Sequence, residues 1–291
     1  MISIAKNNSN YPKHLLALKD APKNIFVRSS AKFDELLARP KVAVVGSRKV
    51  TSYGRAVTEQ LVAELARHGV VIVSGLALGI DSIAHSVTIQ NGGQTIAVLP
   101  CGLDHVYPSS HKSLSEKIVA HSGALVSEYQ PDEKIAFKGN FIARNRIIAG
   151  LADVLLVPEA AKNSGSLHTA GFALDMGIDI FAVPGPINSP TSEGCNNLIR
   201  SGAGLATSAQ DILDYLGISA KQQTQQKTLP LVDDQHQAMV IKLITESSQP
   251  LTNEELQLAT KLNTSDLNQA LSMLEIYGYI STNNSNRWFR K

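Results

Sequence analysis

The sequence predicts an α/β fold, a doubly wound and mostly parallel sheet, with a small C-terminal winged-helix domain. Three observations lead there. From residue 41 onward, short β-branched runs alternate with amphipathic stretches. Most of those runs are continuously apolar, as strands of a parallel sheet covered on both faces have to be. After a Gln-, Lys- and Thr-rich stretch, the strand pattern gives way to three short helices and a hairpin.

Taken in order, residues 1–40 read as an N-terminal extension and 41–217 as the α/β domain. The first strand is VAVV at 42–45. The following SYGRAVTEQLVAELARHG places Val57, Leu61 and Leu65 at i, i+4 and i+8 on one helix face, and Gly69 closes the helix. Strands are expected at 70–74, 95–99, 124–128, 154–157 and 180–183, with helices at 83–90, 114–120, 141–151 and 167–176. The stretch 218–235 has no apolar period before Leu229 and reads as a linker. In the last domain, 236–291, helices are expected at 237–245, 252–260 and 265–276. Thr252 and Glu255 form a capping box, and a turn at Gly278, Tyr279 and Ile280 leads to Trp288 and Phe289.

Composition removes several classes of function. With 291 residues, 43% of them hydrophobic, the chain can bury one large core and a smaller one. No apolar run approaches the roughly 18 residues needed to span a membrane. The start, MISIAKNNSNYPKH, lacks the apolar core and cleavage site of a signal peptide. Cys101 and Cys195 are too few for a disulfide framework and suit a reducing cytoplasm, the expected location. The eight histidines are scattered, with no HExxH and no CxxC, so no metal or other cofactor is expected. Net charge is only +2, yet residues 228–291 carry 5 Lys/Arg against 7 Asp/Glu, which leaves the remainder at +4.

In an open parallel sheet, ligands bind beyond the carboxyl ends of the strands. Here those ends read Gly46-Ser47-Arg48, then SGLALG at 74–79, PCG at 100–102, PEAAKNSGS at 158–166 and PGP at 184–186. Glycines admit close approach of backbone amides, and helix N-termini direct partial positive charge at an anion. Arg48 and Lys162 add full charges, and Arg144-Asn145-Arg146 opens the helix before strand five. Any one of these has a bland explanation, since a glycine after a strand is usually a turn and a lone lysine a solvated charge. Their recurrence on independent loops favours a phosphate-binding edge. Arg144 and Arg146 lie two apart and cannot share a helix face. One is expected to face the crevice while the other pairs with a carboxylate such as Asp153 or Glu159, and the sequence leaves open which.

Signs of catalysis are weak. The fingerprints GxGxxG and GxxxxGK[ST] are both missing. Asp81 and His85, at i and i+4, could form an acid/base pair, but a helix-capping aspartate and a packed histidine are the favoured reading. Glu128 and Glu159 end strands at the same edge and could serve as general bases, though arginine partners are abundant. No nucleophile stands beside a base.

GSR at 46–48, SGLALGIDSIAH at 74–85, TIAVLPCGLDHVYP at 95–108, RNRIIAGLAD at 144–153, VPEAAKNSGSLHTAGFA at 157–173, FAVPG at 181–185 and GCNNLIRSGA at 194–203 occur in one order. Over about residues 10 to 216 they closely resemble the DNA-processing DprA/Smf family. The resemblance implies a Rossmann-like, dimeric, single-stranded-DNA-binding protein of natural transformation and recombination. Such a protein protects DNA and loads the RecA recombinase, without catalysis. It implies that Gly46, Ser47 and Arg48 line the DNA pocket, joined by Arg144, Asn145, Arg146, Lys162, Ser164, Gly165 and Ser166. Two departures stand out: Asn140-Phe141-Ile142-Ala143 replaces the family's Phe-Pro pair before RNR, and His168 replaces an apolar residue. The N-terminal helical, SAM-like domain of longer members is expected to be absent.

Two other classes compete. A LOG-type phosphoribohydrolase has a similar sheet, but its PGGxGTxxE loop is not matched by PEAAKNSGSLHTA. A duplex-DNA regulator would read DNA through helix 265–276, which carries Asp266 and Glu275 and no Lys or Arg. Phosphate repels that sign. Arg287, Arg290 and Lys291 beside Trp288 and Phe289 are the only nucleic-acid-like feature of the tail, which reads as a protein-contact or dimerisation module.

Overall fold

All six apolar runs picked out above form strands, and they pair as a doubly wound sheet must. The structure, a computed structural model, describes residues 1–135, 137, 139–218, 235–247, 249–276, 279–282 and 287–290. Of the linker expected at 218–235, residues 219–234 lie outside the described residues, as do Gly278 of the expected turn and Lys291. Two compact units divide the chain, Met1–Ala220 and Lys221–Lys291.

The first unit begins with β1 (Ile2–Ala5), α1 (Lys13–Leu16), β2 (Asn24–Ser29) and α2 (Phe33–Leu37). The winding then runs β3 (Lys41–Val44), α3 (Ser52–Arg67), β4 (Val71–Ser74), α4 (Ile80–Gln90), β5 (Thr95–Val98), α5 (Lys112–Ala120) and β6 (Ala124–Ser127). It continues with α6 (Gly139–Gly150), β7 (Val154–Val157), α7 (Ser166–Asp175) and β8 (Asp179–Ala182). Last come α8 (Glu193–Arg200), β9 (Gly204–Leu205) and α9 (Ala209–Tyr215). Nine strands hydrogen-bond in the order β1-β2-β6-β5-β4-β3-β7-β8-β9. From β6 to β9 every pairing is parallel, while β2 runs antiparallel to β6 and β1 antiparallel to β2. Because β3 sits between β4 and β7, the strand order reverses there, and the crevice beyond its carboxyl end is the switch point where such sheets bind ligands.

Strand alternation explains why the apolar runs have to be continuous. Val42 and Val44 face one layer with Leu61, Leu65, Ile80, Ile83 and Ile212 from α3, α4 and α9. Ala43 and Val45 face the other, with Leu15, Leu36, Ile147, Ile148 and Ala170 from α1, α2, α6 and α7. Residues 1–40 are more than an extension. They supply two strands of the sheet, and Leu15, Ile25, Val27, Phe33 and Leu36 lie in its core. Their signal is weak in the sequence because β1 is a four-residue edge strand with two exposed positions, and β2 mixes apolar and polar side chains.

The second unit contains α10 (Gln235–Glu246), α11 (Asn253–Thr260) and α12 (Thr264–Ile276), then the antiparallel pair β10 (Ile280–Thr282) and β11 (Trp288–Arg290). Val240, Ile241, Leu256, Leu267, Leu271 and Leu274 form its separate core. The Thr252 hydroxyl accepts from the Glu255 amide, and the Glu255 carboxylate accepts from the Thr252 amide, closing the capping box the sequence predicts. No helix among the described residues is long and apolar enough to cross a membrane.

Candidate functional site

A cleft of about 760 Å³ opens at the β3–β7 switch point. Its first lip is the turn after β3, where Gly46, Ser47, Arg48 and Lys49 leave the sheet. The Ser47 amide donates to the Glu159 carbonyl at 2.8 Å, which ties this lip to the loop after β7. The Ser47 hydroxyl donates to the Lys49 carbonyl at 2.7 Å and holds the turn in shape. Arg48 is exposed, and its guanidinium carbon lies 5.5 Å from the centroid of the Phe141 ring, a cation–π arrangement. Phe141 in turn meets the edge of Tyr107 with centroids 5.1 Å apart. Among the described residues no carboxylate comes within ion-pair distance of Arg48 or Lys49.

The second lip is the loop from Ala161 to Gly165 and the start of α7. No acidic residue occupies the first turn of α7, so its positive dipole end meets no carboxylate there, and the Ser166 amide donates to the Ser164 hydroxyl at 3.4 Å. Ser164 and Ser166 share a 2.8 Å hydroxyl contact at this end. Lys162 is exposed and pairs with Glu193 of α8 at 3.3 Å. Asn145, on α6, accepts from Arg144 Nε at 3.1 Å and donates to the Gly165 carbonyl at 3.5 Å, bridging the floor to this lip.

The RNR motif divides as its spacing requires. It falls within α6 rather than at its start. Arg144 turns into the cleft floor but is 3% exposed, and its Nη1 donates to the carbonyls of Gly75 and, at 2.8 Å, Val98. A Cβ at Gly75 would run into this guanidinium, so the glycine is needed for the close approach. Burial pushes Arg144 down to about 10, and the neighbouring Asp81 carboxylate works the other way, so it stays charged at neutral pH. Arg146 does not join the cleft. It pairs at 2.6 Å with Glu128, a strand-end carboxylate expected to find an arginine partner, and at 3.0 Å with Asp20, and not with Asp153 or Glu159. Asp153 instead holds Lys41 at 3.1 Å, and Glu159 accepts from the Thr51 amide and hydroxyl at the start of α3. The physical reason is helical: two residues apart means opposite faces, and the far face of α6 meets the chain segment around Asp20.

Gly46, Ser47, Arg48, Arg144, Asn145, Lys162, Ser164, Gly165 and Ser166 therefore line one cleft, and Arg146 lies outside it. Sequence reasoning missed Lys49, whose only signal was to follow Arg48 directly, and Glu193, which precedes the GCNNLIRSGA motif. Four cations line the cleft (Arg48, Lys49, Arg144, Lys162) against the carboxylates of Asp81 and Glu193, which gives it net positive charge.

Asp81 and His85 do not form an acid/base pair. The Asp81 carboxylate accepts from the Gly75 amide at 3.1 Å, and burial raises it above the usual carboxylate range against the pull of Arg144. Nor does Asp81 cap α4, whose N-cap is Gly79. His85 is fully buried with Nδ1 2.7 Å from Thr95 Oγ1. Thr95 spends its proton on the Ile72 carbonyl, so His85 Nδ1 donates, and Nε2 meets no partner among the described residues. Burial holds the ring neutral, its pKa pushed down to about 3. The unfolded chain takes up a proton below about pH 6.5 that the folded chain refuses. Stability is therefore full above that pH and lost as pH falls, by about 1.4 kcal/mol at pH 5.5. Urea midpoints followed by far-UV circular dichroism at neutral and mildly acidic pH check this, and the loss should shrink in His85→Gln. The single tryptophan, Trp288, belongs to the other unit and would not report it.

The family model for DNA recombination-mediator protein A matches residues 3–217 of the chain. This chain belongs to that family. DNA processing protein DprA of Streptococcus pneumoniae is 46% identical over 203 residues, 70% of each chain. Protein Smf of Escherichia coli is 44% identical over 214 residues, 73% of this chain and 56% of that one. The X-ray structure of the Streptococcus pneumoniae protein superposes with a TM-score of 0.68 at 44% identity, covering 73% of each chain. DNA processing protein A from Helicobacter pylori, whose structure concerns its single-stranded DNA binding mode, gives 0.64 at 36% identity, covering 74% of this chain and 95% of that one. The family matches take in both lips of the cleft.

Proposed function

We propose that the chain binds single-stranded DNA in the switch-point cleft, protects it, and passes it to a RecA-type recombinase during natural transformation or homologous recombination. It would act as a homodimer in the cytoplasm and without catalysis. One observation carries the reading: Arg48, Lys49, Lys162 and the start of α7, far apart along the chain, line a single cleft. Phosphates fit the two lips, and the Phe141 and Tyr107 rings offer apolar surface for bases. Membership of a recombination-mediator family and the single-stranded DNA binding of the Helicobacter pylori relative support it.

The phosphoribohydrolase alternative needs a free carboxylate as base, and both strand-end candidates are engaged, Glu128 by Arg146 and Glu159 by Thr51. The second unit, three helices and a β-ribbon, fits a winged-helix protein-contact module better than a duplex reader, since Asp266 is the only charge in the first turn of α12.

Fluorescence anisotropy with labelled single- and double-stranded oligonucleotides over a range of salt tests the proposal. Single strands should bind more tightly, with log K falling against log salt by about 0.7 per phosphate contacted. Tighter binding of duplex, or affinity indifferent to salt, would overturn it.

A further inference from the structure

One side chain of the cleft works against a polyanion. Glu193 is exposed, lines the cleft, and sits 3.3 Å from Lys162 Nζ. The other lining carboxylate, Asp81, is buried and turned toward the amides of Gly75 and Ala77, so Glu193 is the solvent-facing one among the described residues. Its position is built. Gly194, the next residue, donates its amide to the Ala160 carbonyl at 2.8 Å, and a Cβ there would fall 2.6 and 2.7 Å from the carbonyls of Ala160 and Ala161. The start of α8 is thereby pressed against the loop that carries Lys162, and the α8 dipole favours a carboxylate in that first turn. Arg48 and Lys49 have no such partner among the described residues, and Arg144 is spent on backbone carbonyls. Among the described residues, Lys162 alone of the rim cations is matched with a carboxylate.

We infer that Glu193 is an internal competitor for Lys162: it occupies the cation when the cleft is empty, and a phosphate of the bound strand has to displace it. The inference rests on the reading of the cleft as a phosphate site. Its consequence is an affinity set below what the cations alone would give, so that a bound strand leaves more readily. A strand that is to be handed on gains from such an arrangement.

Titration of a labelled single-stranded oligonucleotide over a range of salt, with the full chain and its Glu193→Gln variant, tests this. Glutamine keeps the shape and removes the charge, and affinity should rise about two- to fivefold, the range of an exposed ion pair. The salt dependence should steepen, because Lys162 no longer exchanges one anion for another. The gain should vanish when Glu193→Gln is made on a Lys162→Ala background. Glu59→Gln removes the same charge from an i, i+4 pair on α3 outside the cleft and should leave affinity unchanged. If Glu193→Gln binds like the parent while Arg48→Ala binds less tightly, the inference is wrong and the cleft reading stands. If the gain persists without Lys162, or Glu59→Gln matches it, general repulsion replaces competition and the inference is overturned. If the parent binds no single strand, the cleft reading itself fails and takes the inference with it.

Discussion

Replacing Arg48 with alanine is expected to weaken single-stranded oligonucleotide binding about tenfold and to lower the salt slope by about 0.7, the loss of one phosphate contact. Arg48 is exposed, no carboxylate among the described residues competes for it, and the Phe141 ring seats it at the lip. Its charge is available to a ligand at little cost in reorganisation. Arg48→Lys should restore the slope but only part of the affinity, because an ammonium keeps the charge without the flat, stacked guanidinium. Lys162→Ala should cost less than Arg48→Ala, since Lys162 begins in a pair with Glu193. Anisotropy titrations at several salt concentrations measure all three. An Arg48→Ala variant with unchanged affinity and slope would show that the rim is misassigned.

Arg144→Leu should act on stability, lowering it by about 3–5 kcal/mol. The guanidinium is buried, donates to the Gly75 and Val98 carbonyls, and faces the buried Asp81. Leucine would fill part of the space but leave two carbonyls without this donor and a buried carboxyl without its countercharge. Urea unfolding followed by far-UV circular dichroism gives the loss, and adding Asp81→Asn should recover part of it. A change below about 1 kcal/mol would mean that Arg144 is dispensable to the floor and free to act on the ligand alone.

These two arginines mark where sequence reading succeeds and where it stops. The central strands were legible because burial on both faces forces continuous apolar runs such as VAVV and VLLV. The edge strands β1 and the two-residue β9 carry no such demand, and the inner β2 mixes apolar with polar side chains, which is why all three escaped notice. The glycine- and serine-rich strand ends were legible because the switch-point rule says where to look. The division of labour between Arg144 and Arg146 was not. The acceptors of Arg144 lie 69 and 46 residues away, and Asp20 belongs to a segment with no periodic signal at all. Only the i, i+2 spacing announced that the pair had to separate. Lys49 and Glu193 were missed for a related reason, since a single charge becomes meaningful only when distant loops are brought beside it.

The reversal of strand order at β3 has a consequence for the molecule as a whole. The two lips are contributed by opposite halves of the sheet, so neither half carries the whole cleft by itself. Occupancy and global folding of the first unit are thus one coupled equilibrium. A bound strand would act as a clasp across the sheet, raising its resistance to unfolding by RT ln(1 + [L]/Kd).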